Sequence, residues 1–160
     1  MTTLFSKDLA TKKINVTREF AAPVEKTWKA WTDRNSLDQW WAPKPWRVET
    51  KYMDFKEGGY WLYAMVGPNS GEKHWAKLDY IKILNLKHII VINSFCDENG
   101  KTSPDAPGMD WKIVFSASTA GTKVEVDITF ASEKDLKAML DRGFQEGFTS
   151  ALSNLDELLK

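Results

Sequence analysis

From residue 46 to residue 130 the chain is a succession of short segments alternating apolar and polar residues, and one later stretch carries an apolar stripe long enough to cover the sheet they would form. WRVETKYMDF, YWLYAMV, HWAKLDYIKIL, HIIVINSFC, DWKIVFSAS and TKVEVDITF each read as strands with the period of two. Glu57-Gly58-Gly59, the loop 67–71, Asn85, the polar stretch DENGKTSPDAPG and Ala120-Gly121 punctuate them. Consecutive strands joined this way form an antiparallel meander, whose apolar face must be covered. The cover is the C-terminal stretch, where Leu136, Leu140, Phe144, Phe148, Leu152, Leu155 and Leu159 recur at helical spacing. Ser132 with Asp135 three residues on resembles a capping box, so one long helix is predicted from there to the C-terminus.

Before the meander, KKINVTREF places Ile14, Val16 and Phe20 on one face of a first strand. Arg18 shares that face, so it is either solvated at the strand end or paired with a carboxylate inside. Pro23 suits the first turn of a helix, and Val24, Trp28 and Trp31 give that helix one apolar face. Ser36 is placed to cap a second short helix, SLDQWWA, which Pro43 stops. The expected architecture is α+β: a curved antiparallel sheet of about six to seven strands gripping a long C-terminal helix, with two short helices after the first strand. Residues 1–11 read as an N-terminal tail and 12–160 as a single domain.

Lys and Arg together number 22 and balance 22 Asp and Glu, which leaves no electrostatic footprint for nucleic acid. No apolar run approaches the length of a membrane span, and the N-terminus lacks the apolar region of a signal peptide. The one cysteine, Cys96, has no partner for an intrachain disulfide and reads as a small hydrophobe at a strand end. The expectation is a cytoplasmic protein, monomeric or a homodimer, without cofactor or metal. His74 and His88 share no metal-binding or catalytic spacing, and Gly58-Gly59 precedes a strand, so it is a turn and not a phosphate cradle. Asp54 is expected to cap that turn through backbone N–H groups.

The residues carry a family likeness. Ala22-Pro23-Val24-Glu25, Ala30-Trp31-Thr32-Asp33, Leu37 with Trp40-Trp41-Ala42-Pro43, Asp54-Phe55-Lys56-Glu57-Gly58-Gly59, and Glu146-Gly147-Phe148 before Ala151-Leu152 and Leu155 occur in this order over residues 12–160. In this the chain resembles the START-like, helix-grip (SRPBCC) superfamily, in the branch related to the C-terminal domain of heat-shock-protein-90 ATPase activators. It departs from that pattern at Lys56, at Asn85-Leu86, at Phe148 and at Leu78, where a glycine is common and a leucine implies a smaller cavity. The resemblance implies a sheet gripping the long helix over an apolar cavity, with no fixed catalytic set.

Aromatics supply the remaining signal. Trp61, Tyr63 and Met65 share one face of a strand, with Trp75 and Trp111 on neighbouring strands. Trp and Tyr carry polar atoms that need partners when buried, and aromatic walls with a few polar handles are the usual form of a small-molecule site. The predicted cavity residues are Trp41, Trp46, Trp61, Tyr63, Met65, Trp75, Trp111, Leu140, Phe144, Gly147 and Phe148. Trp40 is assigned to the core, with Trp41 and Trp46 near the cavity mouth. Gly143 and Gly147 lie inside the predicted helix, where each costs about 1 kcal/mol against Ala, so something is expected to approach that stripe, either the sheet in close packing or a ligand that needs the room. On that reading Gly147→Ala is neutral or destabilising through overpacking. The expected function is non-catalytic binding of a hydrophobic or aromatic small molecule. The alternatives are a chaperone-partner module, from the family, and a cyclase- or hydrolase-type enzyme using Asp54, His74, Lys77 or Asp79 at the cavity wall.

Overall fold

A computed structural model describes residues 3–69, 71–104 and 108–160. Residue 70 of the predicted hairpin loop and residues 105–107 of the long polar loop lie outside the described residues, as do the first two residues of the predicted tail. The strands are β1 (Leu4–Asp8), β2 (Lys13–Phe20), β3 (Arg47–Met53), β4 (Tyr60–Val66), β5 (Lys73–Leu84), β6 (His88–Phe95), β7 (Met109–Ser118) and β8 (Gly121–Thr129). The helices are α1 (Val24–Thr32), α2 (Arg34–Trp40), α3 (Glu133–Asp141) and α4 (Phe144–Leu158). All strands join one antiparallel sheet in the order β1-β2-β8-β7-β6-β5-β4-β3. Register shifts at Thr50/Tyr52 and Tyr80/Lys82 add the local bends that curve a sheet around a helix.

The eighth strand comes from the stretch expected to be a tail. Leu4–Asp8 pairs with β2, and Phe5 lies against Phe144 at 6.5 Å between ring centroids. Polar residues and an exposed Leu4 hide this strand from a pattern search, because an edge strand has little face to bury. On β2, Ile14, Val16 and Phe20 are buried as expected, and Arg18 takes the second of its alternatives, an ion pair with Asp156 of α4.

The C-terminal stripe is also corrected. It forms two helices instead of one, broken at Arg142-Gly143, where Gly143 adopts φ +84 in the left-handed region that favours glycine. Gly143 therefore ends α3 and opens α4. Ser132 caps α3 as predicted, its hydroxyl accepting from the Asp135 N–H at 3.1 Å. Gly147 is helical, but a Cβ there would meet only Pro43 Cγ, at an ordinary 3.8 Å. Of the two readings of Gly147, close packing is absent and open space toward the cavity is what the geometry leaves, so Gly147→Ala meets no overpacking.

The cap of α2 also differs from expectation: Asp33, not Ser36, takes the position, accepting from the Ser36 N–H at 3.1 Å and the Ser36 hydroxyl at 3.0 Å. Pro23 sits one residue before α1, at its N-cap. Trp40 is fully buried, its indole N–H donating to the Ala30 carbonyl at 2.8 Å and its ring 4.7 Å from Trp31. α1 and α2 are thereby locked to each other. At the β3–β4 turn Asp54 does not act as expected. Its carboxylate lies 3.3 Å from Lys56 Nζ, and its main-chain carbonyl accepts from the Lys56 N–H. A Cβ on Gly59 would collide with that carbonyl, so the turn requires glycine there.

Candidate functional site

The break between α3 and α4 lies over one end of the sheet, where β4 finishes, β5 begins, β6 finishes and β7 begins. A cavity of about 230 Å³ sits between them. Its sheet side is made by Tyr63 and Met65 of β4, His74 and Ala76 of β5, Asn93 and Phe95 of β6, and Met109 and Trp111 of β7. Its helix side is Trp41 and Pro43 after α2, Met139 and Arg142 at the end of α3, and Phe144, Gly147 and Phe148 on α4. Two local facts leave this volume unfilled: the small Ala76 stands opposite Tyr63 in the register, and Gly147 presents no side chain.

Trp41 is the hub of the inner wall, not a residue of the mouth as predicted. Its ring is only 6% exposed and meets Trp31, Trp61, Tyr63, Trp111 and Phe148 with centroids between 5.5 and 6.5 Å apart. Aromatic pairs of this kind add about 0.5–1.5 kcal/mol each beyond area burial, so this wall is rigid. The Trp41 indole N–H donates to the Tyr63 hydroxyl at 3.0 Å. Burial pushes the Tyr63 hydroxyl up to about 12, against the opposing pull of its contacts with Trp41 and Asn93. Tyr63 is therefore a neutral hydroxyl. The Trp111 indole N–H is buried with no hydrogen-bond partner among the described residues.

Of the predicted cavity residues, the structure brings together Trp41, Tyr63, Met65, Trp111, Phe144, Gly147 and Phe148. It places four elsewhere. Trp61 lies behind the wall, fully buried and stacked on Tyr63 at 4.1 Å, with its N–H donating to Thr50. Leu140 is half-buried against the core but does not line the cavity, which Met139 and Arg142 of the same stretch do. Trp46 and Trp75 line an outer cleft of about 730 Å³ that shares Pro43, Met65, His74, Phe95 and Arg142 with the cavity. Leu78 faces Trp61 across the β4–β5 pair and does not narrow the cavity. The wall residues that sequence reasoning missed were Pro43, Ala76, Asn93, Phe95, Met109, Met139 and Arg142, while His74 was expected at the wall only as a catalytic candidate. Strand parity was a usable signal for four of them, since Ala76 falls opposite Tyr63, Met109 shares the face of Trp111, and Asn93 and Phe95 share the face of Val91.

The groups considered for catalysis are not assembled. Lys77 and Asp79 pair with each other at 3.6 Å on the opposite face of β5, and Asp54 belongs to the β3–β4 turn. Only His74 reaches the cavity, at its rim, with its ring 5.5 Å from Trp46. Cys96 lines the same outer cleft as His74, but no hydrogen bond joins them among the described residues, and burial pushes its thiol up. No cluster of three or more metal-binding side chains occurs among the described residues. No described helix is long and apolar enough to cross a membrane.

A curved antiparallel sheet closed by a C-terminal helix over such a cavity defines the START-like, helix-grip class. Within it, the profile of the Activator of Hsp90 ATPase homolog 1-like proteins matches residues 21–160, and the chain belongs to that family. Among solved structures, protein Ms6760 from Mycobacterium smegmatis is 29% identical, with TM-score 0.90, over 99% of this chain and 98% of that one. A protein from Arthrobacter aurescens is 26% identical, with TM-score 0.91, over 98% and 90% respectively. CalU16 from Micromonospora echinospora, at 19% identity and TM-score 0.63 over 99% and 85%, shares the fold alone. No curated protein matches the chain.

Proposed function

We propose that the chain binds a small hydrophobic or aromatic molecule in the cavity between the sheet and the α3–α4 break. The observation that carries this reading is an unfilled volume of about 230 Å³ with aromatic and aliphatic walls and few polar groups. A packed core of this composition closes on itself, and an apolar void of about 150 Å³ is already enough to bind benzene. The experiment is a titration with apolar single-ring probes, following tryptophan fluorescence and the melting temperature. Trp41 and Trp111 form the wall, so binding there changes the emission. A panel that produces neither quenching nor a thermal shift removes the reading.

The family match favours a second reading, a module that docks on a chaperone. Stoichiometric capture of an Hsp90-type chaperone with stimulation of its ATPase would establish it, and failure of both would dismiss it.

A further inference from the structure

The charge around the cavity has one sign. The chain as a whole is balanced, yet among the described residues those lining the cavity and its outer cleft include Arg142, His74 and Lys73 and no Asp or Glu. Lys73 is already engaged by Glu49 at 3.4 Å and stands over Trp75. Arg142 is different. Its main chain is fixed at the end of α3, where its N–H donates to the Ala138 carbonyl. Its guanidinium lies 5.7 Å from the Phe95 ring centroid, at the boundary that cavity and cleft share. Asp141 and Glu146 are close in sequence, but neither lines the cavity or the cleft, and no described carboxylate forms an ion pair with Arg142.

A guanidinium stacked on an aromatic face keeps its N–H edge free, and that edge matches a carboxylate in two-point geometry. Resting on the binding reading above, we propose that the occupant is a small carboxylate whose ring-sized apolar body fills the cavity while its anionic head lies at the mouth against Arg142. The size of the cavity limits the body to about one ring with a short chain, since about 150 Å³ holds benzene. Asn93 and the neutral Tyr63 hydroxyl at the wall are dipoles that do not oppose an anion at the mouth.

The test uses 3-phenylpropionate and its uncharged isostere 3-phenylpropionamide with the full chain, by calorimetry near neutral pH. A charge-assisted hydrogen bond at an exposed rim is worth less than a buried one, so the expected preference for the acid is about five- to tenfold. Arg142→Gln, an exposed position whose melting curve serves as the folding control, is expected to lower the acid to the affinity of the amide and leave the amide unchanged. Gly147→Leu, which fills the cavity, is expected to abolish both. Equal or tighter binding of the amide to the parent overturns the carboxylate inference and leaves the binding reading standing, as does an acid preference that survives Arg142→Gln. Binding of the acid undiminished by Gly147→Leu places it outside the cavity and overturns the inference too. If neither probe binds, the binding reading falls and takes the inference with it.

Discussion

Gly147 shows how one absent side chain is read differently from sequence and from structure. Its cost to the helix was legible, and the reason for it was not, since an unfavourable residue in a helix fits close packing and open space equally well. The geometry selects open space, with Pro43 Cγ at 3.8 Å from where a Cβ would stand. Gly147→Ala is therefore expected to raise stability by up to about 1 kcal/mol, read from urea denaturation midpoints. A loss would restore the overpacking account. Tyr63 carries the second residue-scale prediction. Its hydroxyl titrates near 12 in the folded chain and near 10 when unfolded, so between those values the unfolded state has lost a proton that the native state keeps. That contribution is complete below pH 10 and drains away as pH rises toward 12. Tyr63→Phe removes the linkage and strands the Trp41 N–H, at a cost of about 1–3 kcal/mol near pH 8. The parent's advantage over Tyr63→Phe is expected to shrink by about 2–3 kcal/mol from pH 9 to pH 12. An advantage constant across that range would mean that solvent reaches the hydroxyl.

At the scale of elements, the α3–α4 break creates the site. The left-handed Gly143 ends α3 there, with Leu140 still against the core and Met139 and Arg142 at the cavity. A non-glycine residue in that conformation costs about 1–2 kcal/mol, so Gly143→Ala is expected to destabilise by roughly that amount while Gly147→Ala stabilises. Opposite signs at two glycines four residues apart, measured in the same denaturant series, would distinguish a break from a continuous helix. This contrast also explains what the sequence could convey. Seven strands of the sheet and both short helices were legible, because burial on one face imposes a period that survives in the residues. The apolar stripe of the C-terminal region was legible for the same reason, but its break was not: a glycine looks the same whether its φ is negative or positive. The edge strand β1 left no pattern either, because most of its residues are exposed. In the candidate site the buried aromatics of the wall were found, while Pro43 and Arg142 belong to no periodic set and become neighbours only through the fold.

On the scale of the whole molecule, the two ends of α4 do different work. Its N-terminal turn walls the cavity, and its C-terminal part is tied to the sheet by Asp156, which accepts from Arg18 on β2. The Arg18 guanidinium also donates to Thr3 at 2.6 Å, so one side chain links the residue before β1, the sheet and the last helix. Arg18 is 5% exposed and Asp156 25%. Removing one partner of a buried pair costs about 3–5 kcal/mol, because the remaining charge stays out of water, and the partial exposure of Asp156 lowers the expectation for Asp156→Asn to about 2–3 kcal/mol. Replacing both partners together, as Arg18→Met with Asp156→Leu, removes the stranded charge and is expected to recover most of that loss. A small domain of this kind unfolds as one unit, so the loss appears in the global transition whichever probe follows it. The cavity is walled by the opposite end of α4, and Asp156→Asn is therefore expected to leave the affinity for a single-ring probe unchanged under conditions where the chain is folded. Denaturation followed in parallel by far-ultraviolet dichroism and tryptophan emission checks the first point, and probe titration the second. A stability change below about 0.5 kcal/mol, the range of ordinary surface substitutions, would show that water reaches the Arg18 guanidinium. A weakened probe affinity at unchanged fold would show that the anchor at one end of α4 sets the geometry of the cavity at the other.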